Sequence, residues 1–102
     1  MIVVVALCEL HIEFAQSLKD KRMVVRSVRD KLRRRFNISA NEVAFQDLLQ
    51  RARLGISFVA DRRDSADSLL DTIQQFVESH ADARIVGWTS EKLDFDEEAD
   101  LL

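Results

Sequence analysis

Apolar residues open the chain in an almost unbroken run, Ile2-Val3-Val4-Val5-Ala6-Leu7, and then alternate with polar ones. The first half is apolar on both faces, as in a central strand, so residues 2–13 are predicted as one long strand. In its second half Cys8, Leu10 and Ile12 fall on one face and Glu9, His11 and Glu13 on the other. The even-numbered residues are therefore expected to face the core. The odd face begins apolar, at Val3, Val5 and Leu7, and ends polar.

The period then changes. Ser17 is placed to cap a helix in which Leu18, Val24, Val25, Val28, Leu32 and Phe36 share one arc. Lys21 is expected near the apolar edge, with its stem lying along the core and its charge in water. Residues 37–45 suit a weaker, more polar strand at a sheet edge, and 46–52 a connection. Residues 53–61 alternate again, with Leu54, Ile56, Phe58 and Ala60 facing one way. Asp64 is predicted to cap a second helix over 65–80, which buries Ala66, Leu69, Leu70, Ile73, Phe76 and Val77. Its C-terminal end holds His80, where positive charge is favoured. Residues 83–91 close the pattern as a fourth strand.

The order strand-helix-strand-strand-helix-strand predicts an α+β domain, the ferredoxin-like sandwich. Two right-handed crossovers build a four-stranded antiparallel sheet with both helices on one face and the first and third strands central. Those two are the most apolar strands of the chain. At 102 residues the chain is expected to be one domain over 1–91, followed by an acidic tail over 92–102. One cysteine leaves no internal disulfide and fits a reducing cytoplasm. The apolar N-terminus has no basic leader and no small-residue cleavage site, and it is too short to span a bilayer. No membrane partner is expected.

Charge changes this picture. The stretch SLKDKRMVVRSVRDKLRRRF, residues 17–36, holds nine of the fifteen Lys and Arg residues, against only Asp20 and Asp30. The whole chain carries a formal net charge of −3. Lys19, Arg22, Arg26, Arg29 and Arg33 fall within about 80° of one another on the helical wheel and form a stripe beside the buried arc. Like charges three and four residues apart repel, so such a stripe calls for a countercharge: phosphate, a partner's acids, or the chain's own acidic tail. The bland alternative is a solvated face that keeps the protein soluble.

The run SLKDKR at 17–22, with VVRS at 24–27, RRFN at 34–37 and QDLLQRARLG at 46–55, resembles the YlxP-like family of small bacterial proteins. The similarity covers roughly residues 1–91. It implies a ferredoxin-like fold and a gene neighbourhood among translation and ribosome-maturation genes. It brings no catalytic residues. Family members often carry an aromatic residue where this chain has Leu49, and the acidic tail looks like an addition to the family core.

Other chemistry is sparse. GISFV at 55–59 partly follows the RNP1 pattern of RNA-binding sheets, but Ile56 and Phe58 share parity with core residues. Glu9 and Glu13 on the open face would repel phosphate there. Cys8 faces the core and His11 the opposite side, so no Cys–His pair is expected. With only Gly55 and Gly87 there is no phosphate-cradling loop. Catalytic residues, metals and cofactors are all expected to be none. The reading is a non-enzymatic cytoplasmic protein that binds ribosomal RNA or a ribosomal subunit through the helix stripe. The alternative is an interaction module without RNA contact, a homodimer closed through Val3, Val5 and Leu7. In that case the face opposite the helices pairs with a second sheet, unless a loop or the tail covers it.

Overall fold

The computed structural model describes residues 1–95. Six elements follow in order: β1 (Ile2–His11), α1 (Leu18–Arg35), β2 (Ser39–Ala44), β3 (Arg51–Ala60), α2 (Arg63–His80) and β4 (Arg84–Asp94). The strands form one antiparallel sheet in the order β2-β3-β1-β4, so the two most apolar strands lie at its centre. This is the ferredoxin-like arrangement.

Alternation decides which face is covered. Ile2, Val4, Ala6, Cys8 and Leu10 of β1 and Ala52, Leu54, Ile56 and Phe58 of β3 are buried beneath the helices. They meet Val25, Val28 and Leu32 of α1 and Ala66, Leu70, Ile73 and Val77 of α2. Phe36 and Phe76 pack edge to face at 5.3 Å where the two helices approach. Ile56 and Phe58 are thus core residues, and the RNP1-like stretch offers no stacking platform.

Ser17 caps α1 as expected, its Oγ accepting from the Asp20 amide at 3.1 Å. Asp20 answers by accepting from the Gln16 amide at 3.2 Å. One orphan donor of the helix start, the Asp20 amide, is thereby satisfied, and the Asp20 carboxylate fixes the residue that precedes the cap. The second helix differs from expectation. It begins at Arg63, and Arg62 holds the cap position with no side-chain cap bond. Asp64 lies inside the first turn and accepts from the Ser65 amide at 2.9 Å, where its charge still suits the helix dipole. The strands are also displaced. β1 stops at His11, β3 starts two residues early at Arg51, and β4 runs three residues beyond 91. Glu91, Lys92 and Leu93 pair with Val5, Val4 and Val3, so the start of the acidic stretch belongs to the sheet. The rest of the proposed tail, from residue 96, lies outside the described residues, as does its role as countercharge or apolar cover.

Candidate nucleic-acid interface

α1 connects the parallel strands β1 and β2 and lies on the β2 side of the sheet. Arg33 fixes which flank it turns outward. Its guanidinium donates to the Ala40 carbonyl from Nε at 3.1 Å and from Nη2 at 2.7 Å, and to Asn41 Oδ1 at 2.7 Å. The stripe therefore runs along the outside of β2, the edge strand. On the opposite side of the helix Lys31 donates to the His80 carbonyl at 3.1 Å, tying α1 to the end of α2.

The five stripe residues do not share one state. Lys19, Arg22 and Arg26 are exposed and have no hydrogen bond or ion pair among the described residues. Arg29 is half-buried and bound to the Asp30 carboxylate at 3.0 Å. Arg33 is engaged by the edge strand, where it satisfies a backbone acceptor and a side-chain amide. Blunting an edge strand in this way discourages pairing with another chain. Three cations are therefore free to meet an anion, and two serve the fold first.

Lys21 departs furthest from expectation. It does not snorkel; it is 1% exposed. Its Nζ donates to the Phe45 carbonyl and lies 3.1 Å from Glu42 Oε2. That carboxylate oxygen is buried and accepts no well-directed hydrogen bond among the described residues, so the pair is held by charge. Phe45 itself has φ 66°, the left-handed region, which costs a bulky residue about 1–3 kcal/mol. Above it, on the open face, the Arg51 and Arg53 guanidiniums stack on its ring at 4.4 and 4.7 Å. Glu9 then clamps both, reaching Arg51 at 3.1 Å and Arg53 Nε at 3.1 Å. These two arginines, Arg53 foremost, hold the Glu9 carboxyl below its ordinary value of 4.5. The expectation that Glu9 repels phosphate is thereby corrected: its charge is matched by two guanidiniums.

The open face is graded. Its cross-strand rows run Val59–Val3–Leu93, Ser57–Val5–Glu91, Gly55–Leu7–Thr89, Arg53–Glu9–Gly87 and Arg51–His11–Arg84. In the first three rows Val5, Leu7, Val59 and Leu93 are exposed and Val3 is half-buried, an apolar column bordered by Ser57, Glu91 and Thr89. Between β2 and β4 the face dips into a shallow depression of about 530 Å³ lined by Val5, Leu7, Val43, Gly55 and Thr89. Gly55 makes room for Val43, since a Cβ there would meet Val43 Cγ1 at 2.8 Å.

Cys8 lies in the core with its thiol pushed up to about 12, first by burial and then by the charges of Glu78 and Glu9. His11 sits on the opposite face, so the two make no nucleophile–base pair. Among the described residues no group of three His, Cys, Asp or Glu is arranged to hold a metal ion. No helix among them is long and apolar enough to cross a membrane.

Residues 3–90 match the family described as "Protein of unknown function (DUF503)". A curated relative, "Uncharacterized protein YlxP" of Bacillus subtilis (strain 168), is 35% identical over 72 residues, or 71% of this chain and 78% of the relative. The chain belongs to this family. Among solved structures, the de novo designed protein LFR1 1 with ferredoxin fold covers 98% of this chain and 89% of its own at 19% identity and a TM-score of 0.49. At3g17210 from Arabidopsis thaliana covers 93% and 96% at 8% identity and a TM-score of 0.47.

Proposed function

We propose that this family member is a non-enzymatic cytoplasmic protein that binds structured RNA along the outer flank of α1. Its partner is ribosomal RNA or a ribosomal assembly intermediate. The reading is carried by Lys19, Arg22 and Arg26, three exposed cations on one flank with no partner among the described residues. Their mutual repulsion is relieved when a phosphate backbone lies along the flank. Ribosomal RNA is preferred over other RNA because of the gene neighbourhood that the family resemblance implies. The deciding experiment is sedimentation of cell extracts at low and high salt. The protein is expected with ribosomal subunits at low salt and free of them at high salt; absence from every ribosomal fraction would reject the reading.

A second reading is favoured by the apolar rows of the open face. A second copy, packed sheet to sheet over Val3, Val5 and Leu7, would cover side chains that a monomer leaves in water. This assembly is compatible with RNA on α1, which lies on the other side of the sheet.

A further inference from the structure

The connection between β2 and β3 is held more firmly than a loop of its length requires. Its first residue, Phe45, keeps a left-handed backbone that phenylalanine disfavours. Lys21 secures the carbonyl from beneath, Arg51 and Arg53 cover the ring from above, and Glu9 fixes the two arginines. Gln50 at the far end donates to the Glu13 carbonyl at 3.1 Å, and the Ile12 amide donates to the Gln50 carbonyl at 2.9 Å. Strain that its surroundings over-determine in this way is a mark of functional segments. What the segment presents at its tip is apolar: Leu48 and Leu49 are 44% and 42% exposed.

The position of this tip relative to the stripe follows from the two ends of α1. Arg33 meets β2 at Ala40, and α1 runs antiparallel to β2. Eleven residues back along the helix, Arg22 lies about 16 Å from Arg33 along the helix axis. Five residues forward along β2, Phe45 lies about 16 Å from Ala40. Arg22 is thus level with the base of the loop, and the contact of Lys21 with Phe45 agrees. The loop therefore stands beside the free cations of the helix flank, Lys19, Arg22 and Arg26, while Arg51 and Arg53 on the open face are engaged by Glu9 and by the Phe45 ring. Glu9, Asp47 and Glu13 offset those two arginines, so the excess positive charge beside the loop is that of the helix flank.

We infer that the 45–50 loop is the recognition element of the RNA surface, with Leu48 and Leu49 packing against unpaired bases while α1 holds the adjoining phosphates. This inference rests on the RNA reading above and names its ligand as an unpaired segment flanked by a helix. A preformed apolar tip suits splayed bases, which a continuous duplex does not offer. The free cations of the helix flank suit the polyanion to which those bases are attached.

The test compares two RNAs of equal length, a hairpin with an unpaired loop and a fully paired duplex, by fluorescence anisotropy. The wild type is expected to bind the hairpin about tenfold more tightly, the effect of burying the exposed part of two leucines. Leu48→Ser/Leu49→Ser, which alters only surface side chains, should abolish that preference while leaving the salt dependence of binding unchanged. Arg22→Ala/Arg26→Ala should weaken both RNAs and keep the preference. Equal affinity for the two RNAs, or a preference that survives in the leucine variant, overturns the inference and leaves RNA binding by α1 intact. Failure of the wild type to bind either RNA overturns the RNA reading itself. Loss of binding to vesicles of anionic lipid in the leucine variant, with RNA affinity unchanged, would assign the tip to a membrane surface and also overturn it.

Discussion

Lys21 and Phe45 are joined across the edge of the sheet, the buried ammonium donating to the carbonyl of a residue in the left-handed conformation. The contact gives the SLKDKR stretch a division of labour. Ser17 caps the helix, Asp20 completes the cap, and Lys21 anchors the β2–β3 connection. Lys19 and Arg22 of the same six residues are left to solvent. One short motif thus builds the local structure and supplies part of the cationic flank.

Removing the anchor should be costly. Lys21→Met keeps the stem but leaves Glu42 Oε2 buried without its counter-ion, and is expected to destabilise the fold by about 3 kcal/mol. Urea denaturation measures the loss. Lys21→Met/Glu42→Leu should recover much of it, because the second change removes the stranded charge. A single variant as stable as the wild type would show that the pair contributes nothing.

Glu9 gives a pH signature. Arg53 and Arg51 lower its carboxyl below 4.5 in the folded state, so its contribution to stability is present above the unfolded value. That contribution is lost as pH falls through the lowered folded value. Carboxyl NMR titration should find Glu9 below 4.5, and Arg53→Gln should raise it more than Arg51→Gln, since Arg53 is the larger cause. Titration of Glu9 at or above 4.5 in the wild type would contradict the clamp.

Cys8 offers a check on the burial of its thiol. A buried thiol pushed up to about 12 is neither ionised nor reachable at pH 8. Labelling with a disulfide reagent should therefore proceed only as fast as the protein opens, and accelerate in urea. Rapid stoichiometric labelling of the folded protein would place the thiol at an accessible site instead.

The sequence made the element order legible because its periods are clear: alternation in β1 and β3, and an apolar arc at helical spacing in α1. It also exposed the stripe, since spacing alone puts Lys19 to Arg33 on one flank. The fate of Lys21 could have been read more closely. On the wheel it falls between Leu32 and Val28, inside the apolar arc and not at its edge. What no pattern reveals is the partner that makes burial tolerable, because Glu42 comes from a strand some twenty residues on and Phe45 from the connection that follows it. The left-handed Phe45 is hidden for a similar reason: local preference argues against it, and tertiary contacts impose it. Likewise Arg33 belongs to the stripe by angle, and only the docked edge strand shows that it is engaged.

If the open face closes a dimer, Val5→Lys should yield a monomer. In a single copy the new lysine would stand at a position 48% exposed and opposite Glu91 on β4, a favourable cross-strand pair, so the fold should survive. In a sheet-to-sheet dimer the same charge would be buried against valine and leucine. Analytical ultracentrifugation of both proteins at equal concentration decides. An unchanged mass with an intact fold removes the assembly through this face.

The stripe itself is tested by salt. If Lys19, Arg22 and Arg26 hold phosphates, affinity for structured ribosomal RNA must fall as salt rises through release of counterions. Arg22→Ala/Arg26→Ala removes two contacts and should flatten the log–log slope by roughly 1.4 on a single strand and roughly 1.8 on a duplex. Arg33→Ala is the informative comparison, because that guanidinium is bound to Ala40 and Asn41. It should reduce stability while changing the slope little, and the opposite ranking would return Arg33 to the binding surface. Arg29, held by Asp30, should fall between the two. Both arms need the fold verified first by circular dichroism, since Arg33→Ala leaves a carbonyl on the edge strand without its donor. A slope unmoved by the Arg22/Arg26 change would mean that the flank is only a solvated face and that any RNA is held elsewhere.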